Sequence, residues 1–154
     1  MTSISDRLSA LGIELPEPPA PAGMYVPALI REQEIWTSGM LPVVAGELRF
    51  KGVVGRDLDM DDAVQAARLA CLNGLAAAAA IAGSIDRIAA VLRVEGYVAG
   101  TTEFTSQATV LNGASELLVD LFGDAGRHTR VAIGVPALPL GAPVEISLVF
   151  RLKS

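Results

Sequence analysis

TRVAIGVPALPLGAPVEISLVFRL, residues 129–152, decides how the chain is read. Its ends are two apolar runs, and its middle is broken by Pro136, Pro139 and Pro143. Proline removes a backbone donor and fixes φ, so the middle connects two strands. In Val144–Leu152, residues 144, 146, 148, 150 and 152 are all apolar. Glu145, Ser147, Val149 and Arg151 fall on the other face. That period of two predicts a strand with one face in a core. The strand Thr129–Val135 puts Arg130, Ala132 and Gly134 on one face and Val131, Ile133 and Val135 on the other.

Upstream, Ser106–Phe122 reads as a helix with Val110, Ala114, Leu117 and Leu121 inward and Gly123 after it. Ile88–Val98 reads as a strand. Asp59 suits a helix N-cap, Asp61 and Asp62 suit its first turn, and Gly83 suits its end. Between them Val64, Ala67, Cys71, Leu75 and Ala78 recur at helical spacing, and Ala76–Ala80 lets the helix approach a sheet closely. Phe50–Val54 is a short strand candidate. Met24–Ile30 and Ile35–Ser38, split by polar REQE, read as a hairpin. Residues 3–12 suit a short helix, and ELPEPPAPAG, 14–23, an extended arm or leader. The division is thus an N-terminal helix and arm, 1–23, and a folded domain, 24–154. The order of elements predicts an α/β (α+β) layer: one sheet with both long helices on one face.

The chain has 154 residues, enough for one domain with its own core. Its net charge is −5, which argues against a nucleic-acid partner. Hydrophobic residues make up 51%, a surplus that suggests burial against another subunit. One cysteine, Cys71, and one histidine, His128, exclude an intrachain disulfide, a thiolate metal cluster and a two-imidazole zinc site. Capping accounts for the acidic group at 59–62, so no metal is expected. The start, MTSISDRLSA, lacks a basic region followed by an apolar core. The uncharged stretch between Arg68 and Asp86 is shorter than a membrane span. The expectation is a cytoplasmic protein with no membrane partner.

There is no Walker loop, no G-x-G-x-x-G and no G-x-S-x-G, so chemistry must come from scattered residues. If the last two strands pair, Arg130 and Glu145 share the helix-free face. An arginine among small residues suits a carboxylate ligand, because its planar fork offers two parallel donors. The same pair also fits a structural ion pair at an interface. By themselves Cys71 reads as a buried small hydrophobe, His128 as a strand-edge residue and Trp36 as packing.

Several pieces in order resemble the Rid family (reactive intermediate deaminases, YjgF-like, also labelled endoribonuclease L-PSP). They are Tyr25; Thr37-Ser38-Gly39 with Leu41-Pro42; Ala66-Ala67-Arg68 and Asn73; Asn112; Arg130; Leu138-Pro139; and Val144-Glu145-Ile146. The resemblance covers roughly residues 24–152 and is closest to a longer, divergent branch. It implies a chorismate-mutase-like layer assembled as a barrel-centred homotrimer with sites in the clefts between subunits. It also implies hydrolytic deamination of 2-imino or enamine acids to 2-keto acids and ammonia, without a cofactor. In that scheme Arg130 binds the substrate carboxylate, Glu145 positions or activates water, and Tyr25 closes the cleft. Backbone at Gly39 and Ala132 contacts substrate or water, and Asn112 shapes the site. The family often has a cysteine two residues after its arginine; here Ala132 stands there, which removes thiol chemistry. The stretch from Tyr97 to Asn112 is longer than in familiar members, so the cleft rim differs. The alternatives are a non-catalytic trimer that binds small carboxylates and an endoribonuclease. The acidic charge and single histidine count against the last.

Overall fold

A computed structural model describes residues 2–20 and 23–154. The elements, in order, are α1 (Ile4–Ala10), β1 (Ala28–Arg31), β2 (Glu34–Thr37), β3 (Val43–Val44), β4 (Glu47–Leu48), α2 (Met60–Ala82), β5 (Ile88–Ala99), α3 (Gln107–Phe122), β6 (Thr129–Val135) and β7 (Val144–Leu152). Five strands form one sheet in the order β1-β2-β7-β5-β6; β5 and β6 run parallel and the other pairs are antiparallel. The layer is the mixed α/β arrangement expected, with α2 and α3 against one sheet face.

The alternation in β7 is borne out: Val144, Ile146, Leu148 and Phe150 are buried beneath the helices. Phe150 and Ile146 anchor a core shared with Leu75 of α2 and Leu111, Leu117 and Leu121 of α3. Close approach of the layers depends on small residues. A Cβ on Gly96 of β5 would overlap Leu111, and one on Gly113 would overlap the Val64 carbonyl of α2. Helix α2 is long and apolar enough, by length and composition alone, to cross a membrane. Its apolar side is spent inside the protein: Ala63, Ala66, Ala67, Ala70, Cys71, Leu75 and Ala78 are fully buried. The Asp59 side chain caps this helix, accepting from the Asp62 N–H at 2.9 Å, and Gly83 ends it in the left-handed region.

Three expectations change. The first hairpin is shorter than its apolar runs, because Gly23–Val26 is not part of the ladder. Phe50–Val54 is not a strand: Gly52 and Gly55 take positive φ values of 123° and 92°, and only Val54 makes isolated bridges. The β structure there is the tiny β3–β4 hairpin. Ala45 and Gly46 turn it at φ 52° and 83°, the double positive φ that a two-residue turn requires. Lastly, β6 and β7 do not pair, since β5 lies between them.

Helix α1 docks on α3 through buried Leu8. Ser5 donates from its hydroxyl and backbone N–H to Asp86 at 2.6 and 2.9 Å, and those bonds hold the Asp86 carboxyl below its ordinary pKa. Ile13 and Leu15 of the arm also pack on the core.

Candidate functional site

Arg130 stands on β6, the edge strand. Its Cα is level with Val94, as Ala132 is with Gly96 and Gly134 with Val98. Val94, Gly96 and Val98 are the β5 residues under α3, so Arg130 rises on the helix-covered side. Its guanidinium reaches α3. Nη1 donates to Asn112 Oδ1 and to Ser115 Oγ, both at 3.0 Å, and Nη2 donates to the Ala108 carbonyl at 3.3 Å. A guanidinium has five N–H groups. Among the described residues three are engaged, so two remain for a planar anion arriving at that edge. Ala132 lies farther along the same face, half-buried against the core.

The bond to Ser115 continues inward. Ser115 Oγ lies 2.9 Å from His128 Nε2, and His128 Nδ1 lies 2.6 Å from the Gly126 carbonyl. Neither Ser115 nor this role of His128 was anticipated. The signal was available: Asn112 and Ser115 are three apart on one helix face, and His128 immediately precedes β6, two residues before Arg130.

Glu145 belongs to a second cluster. It is level with Tyr97 on β5. Residues 94 and 97 are an odd number apart, and the bulges in β5 fall before Arg93, so Tyr97 and Val94 face opposite sides. Glu145 is therefore on the helix-free face and Arg130 on the helix-covered one. The expectation that they share the helix-free face is corrected, and with it the ion pair within one chain. The cause is the intervening strand.

Gly39 lies directly against Glu145: a Cβ there would overlap the carboxylate. The loop carrying Gly39 is pinned on several sides. Met40 and Ile146 exchange both backbone bonds, at 2.7 and 3.0 Å. Ser38 donates its hydroxyl to the Val26 carbonyl at 2.6 Å, which brings the segment of Tyr25 beside Gly39. The buried amide of Asn73 on α2 donates to the Leu41 and Val43 carbonyls, both at 2.9 Å. Tyr25 itself is 52% exposed. Desolvation holds the Glu145 carboxyl above its ordinary pKa.

The candidates thus form two separate clusters: Arg130, Asn112 and Ala132 with Ser115 and His128, and Glu145 with Gly39 and the Tyr25 segment. Around them, the helix-free face exposes Trp36 at 48% and Ile133 at 42%. Trp36 Nε1 donates to Glu34 at 3.1 Å. Cys71 is fully buried, and burial pushes its thiol up to about 12, so it serves as packing.

The family model "YjgF/chorismate mutase-like, putative endoribonuclease" matches residues 5–152. The chain belongs to the YjgF family. A relative, Protein TCP17 of Trypanosoma cruzi, is 35% identical over 152 residues, covering 98% of this chain and 95% of its own. The crystal structure of a "putative endoribonuclease" from Shewanella oneidensis superposes with a TM-score of 0.93 at 35% identity, covering 97% of this chain and 99% of its own. Serine-bound TdcF of E. coli, at 22% identity and a TM-score of 0.63, shares the YjgF fold over 92% of this chain and 96% of its own. The match to the family includes α1, so it begins before the prolyl arm.

Proposed function

We propose that this YjgF-family chain hydrolyses reactive 2-imino and enamine acids to 2-keto acids and ammonia, in clefts between the subunits of a homotrimer. One observation carries the proposal. A single chain holds an anion clamp and a desolvated carboxylate on opposite sheet faces, and the clamp sits on a strand whose outer edge is unpaired among the described residues. A second copy that supplies Glu145 and Gly39 to the Arg130 edge would complete one site. Cyclic repetition of such a heterologous contact closes a ring. Trp36 and Ile133 give the helix-free face apolar area to bury in it. TdcF of E. coli, which shares the fold at 22% identity, was crystallised with bound serine, an amino acid.

The two free donors of Arg130 grip the substrate carboxylate. Glu145 accepts a proton from water as the oxygen attacks the imine carbon; the C=N π pair moves to nitrogen, which takes that proton from Glu145 and returns the carboxyl to its ionised form. The carbinolamine then collapses. Its hydroxyl proton passes to nitrogen, the C–N bond breaks, and ammonia leaves a 2-keto acid. An imine is already electrophilic, so orientation and modest base assistance are sufficient. Tyr25 covers the cleft, Asn112 steadies Arg130, and the backbone at Gly39 and Ala132 borders the substrate. No cofactor or metal takes part, and the setting is the cytoplasm. RNA is not the substrate in this reading, given a net charge of −5 and one histidine, already engaged with Ser115.

The test generates imino acids with an amino-acid oxidase and follows keto-acid release with and without the protein. Acceleration is expected, from a particle of three subunits by light scattering. No acceleration, but binding of 2-keto acids through Arg130, would make the chain a carboxylate-binding protein instead.

A further inference from the structure

We infer that Ser115 and His128 are positioning residues for Arg130, and that the relay Arg130–Ser115–His128–Gly126 aims its guanidinium for carboxylate capture. The inference rests on the proposed role of Arg130 as the carboxylate clamp. The bonds fix the direction of every proton. The Gly126 carbonyl only accepts, so His128 Nδ1 carries the hydrogen across 2.6 Å. In a neutral ring Nε2 is then a bare lone pair. The Ser115 hydroxyl donates to it across 2.9 Å and keeps its own lone pairs for Arg130 Nη1 at 3.0 Å. Asn112 and the Ala108 carbonyl hold the rest of the guanidinium. The two unused N–H groups are thereby aimed before any ligand arrives.

His128 is the only histidine, so its ring is a unique NMR probe. Nitrogen shifts should show the Nδ1–H tautomer in the intact protein; the Nε2–H tautomer overturns the relay whatever the protein's activity. The binding arm uses 2-oxobutanoate and calorimetry. Ser115→Ala should weaken binding about tenfold, the loss of one bond to a charged group. His128→Leu should weaken it about threefold. In His128→Gln the amide oxygen can accept from Ser115, so it should recover most of the His128→Leu loss. The losses should appear in KM with kcat nearly unchanged. If wild type binds and Arg130→Ala does not, yet Ser115→Ala and His128→Leu match wild type, the relay fails and the clamp stands. If wild type does not bind, the clamp itself fails and the inference goes with it.

Discussion

The two clusters are built on opposite principles. Arg130 donates three hydrogen bonds to α3, and one of those acceptors is held in turn by His128. Among the described residues no side chain or backbone group bonds the Glu145 carboxylate, which lies under Gly39 with its pKa raised by desolvation. The Arg130 guanidinium is pre-ordered, so in its proposed role little conformational entropy would remain to be lost on binding a carboxylate. The carboxylate is left poorly solvated, which keeps it basic. One region invests in order and the other in reactivity.

The contrast breaks most visibly at Glu145. Glu145→Gln should lower turnover by roughly 10²–10⁴-fold while leaving 2-keto acid binding in place. The same change should raise the melting temperature at neutral pH. A carboxyl whose folded pKa lies above its unfolded value favours the folded state at low pH, and that advantage is lost as pH rises from the ordinary carboxylate value through the raised one. The ionised form is thus a cost at neutrality, and the amide removes it. A variant that loses both turnover and melting temperature would mean that Glu145 is structural.

Arg130→Ala should weaken 2-keto acid binding about a hundredfold while the fold persists, since the side chain lies at an open edge rather than in the core. Arg130→Lys should recover little, because a point charge lacks the fork. Calorimetry and circular dichroism on the same samples check both statements; equal affinity in Arg130→Lys would reduce the clamp to simple charge.

Gly39→Ala sharpens the comparison from the other side. Its Cβ must displace the Glu145 carboxylate, and a shift of about 1 Å in a reacting group can cost about 10²-fold. The loss should appear in kcat, with the Arg130 clamp untouched and 2-oxobutanoate affinity unchanged. Parity with wild type in turnover would mean that the carboxylate has room to relax.

The smallest effect is expected at Asn73. Asn73→Ala leaves the Leu41 and Val43 carbonyls without their donor, which should cost about 1–3 kcal/mol in urea unfolding. An unchanged midpoint would show that water replaces the amide.

How much of this was legible in the sequence depended on range. β6 and β7 were readable to the residue, because prolines bracket their connection and β7 alternates without a break. The caps of α2 were readable because Asp59 and Gly83 act through local backbone. Strand order is a property of distant segments. Nothing near residues 129–152 announces that Ile88–Ala99 inserts between them, and that insertion moved Arg130 to the other face. The Phe50–Val54 expectation failed for a local reason, the two positive-φ glycines. The Ser115–His128 contact spans an element boundary, so it was visible only as two spacings with no reason to join them.

Among the described residues no strand pairs with the outer edge of β6, and that has one more consequence. A bare strand edge offers a row of N–H and C=O groups to any extended segment that meets it, and exposed Ile133 makes this one sticky as well as open. An isolated chain is therefore exposed to runaway edge-to-edge stacking. Charge offers partial protection: net −5 keeps separate chains apart at low salt, but at physiological ionic strength its reach shrinks to about 8 Å. Covering that edge would then serve solubility as much as chemistry. A descendant that lost all need for the site would still be selected to keep its edge covered.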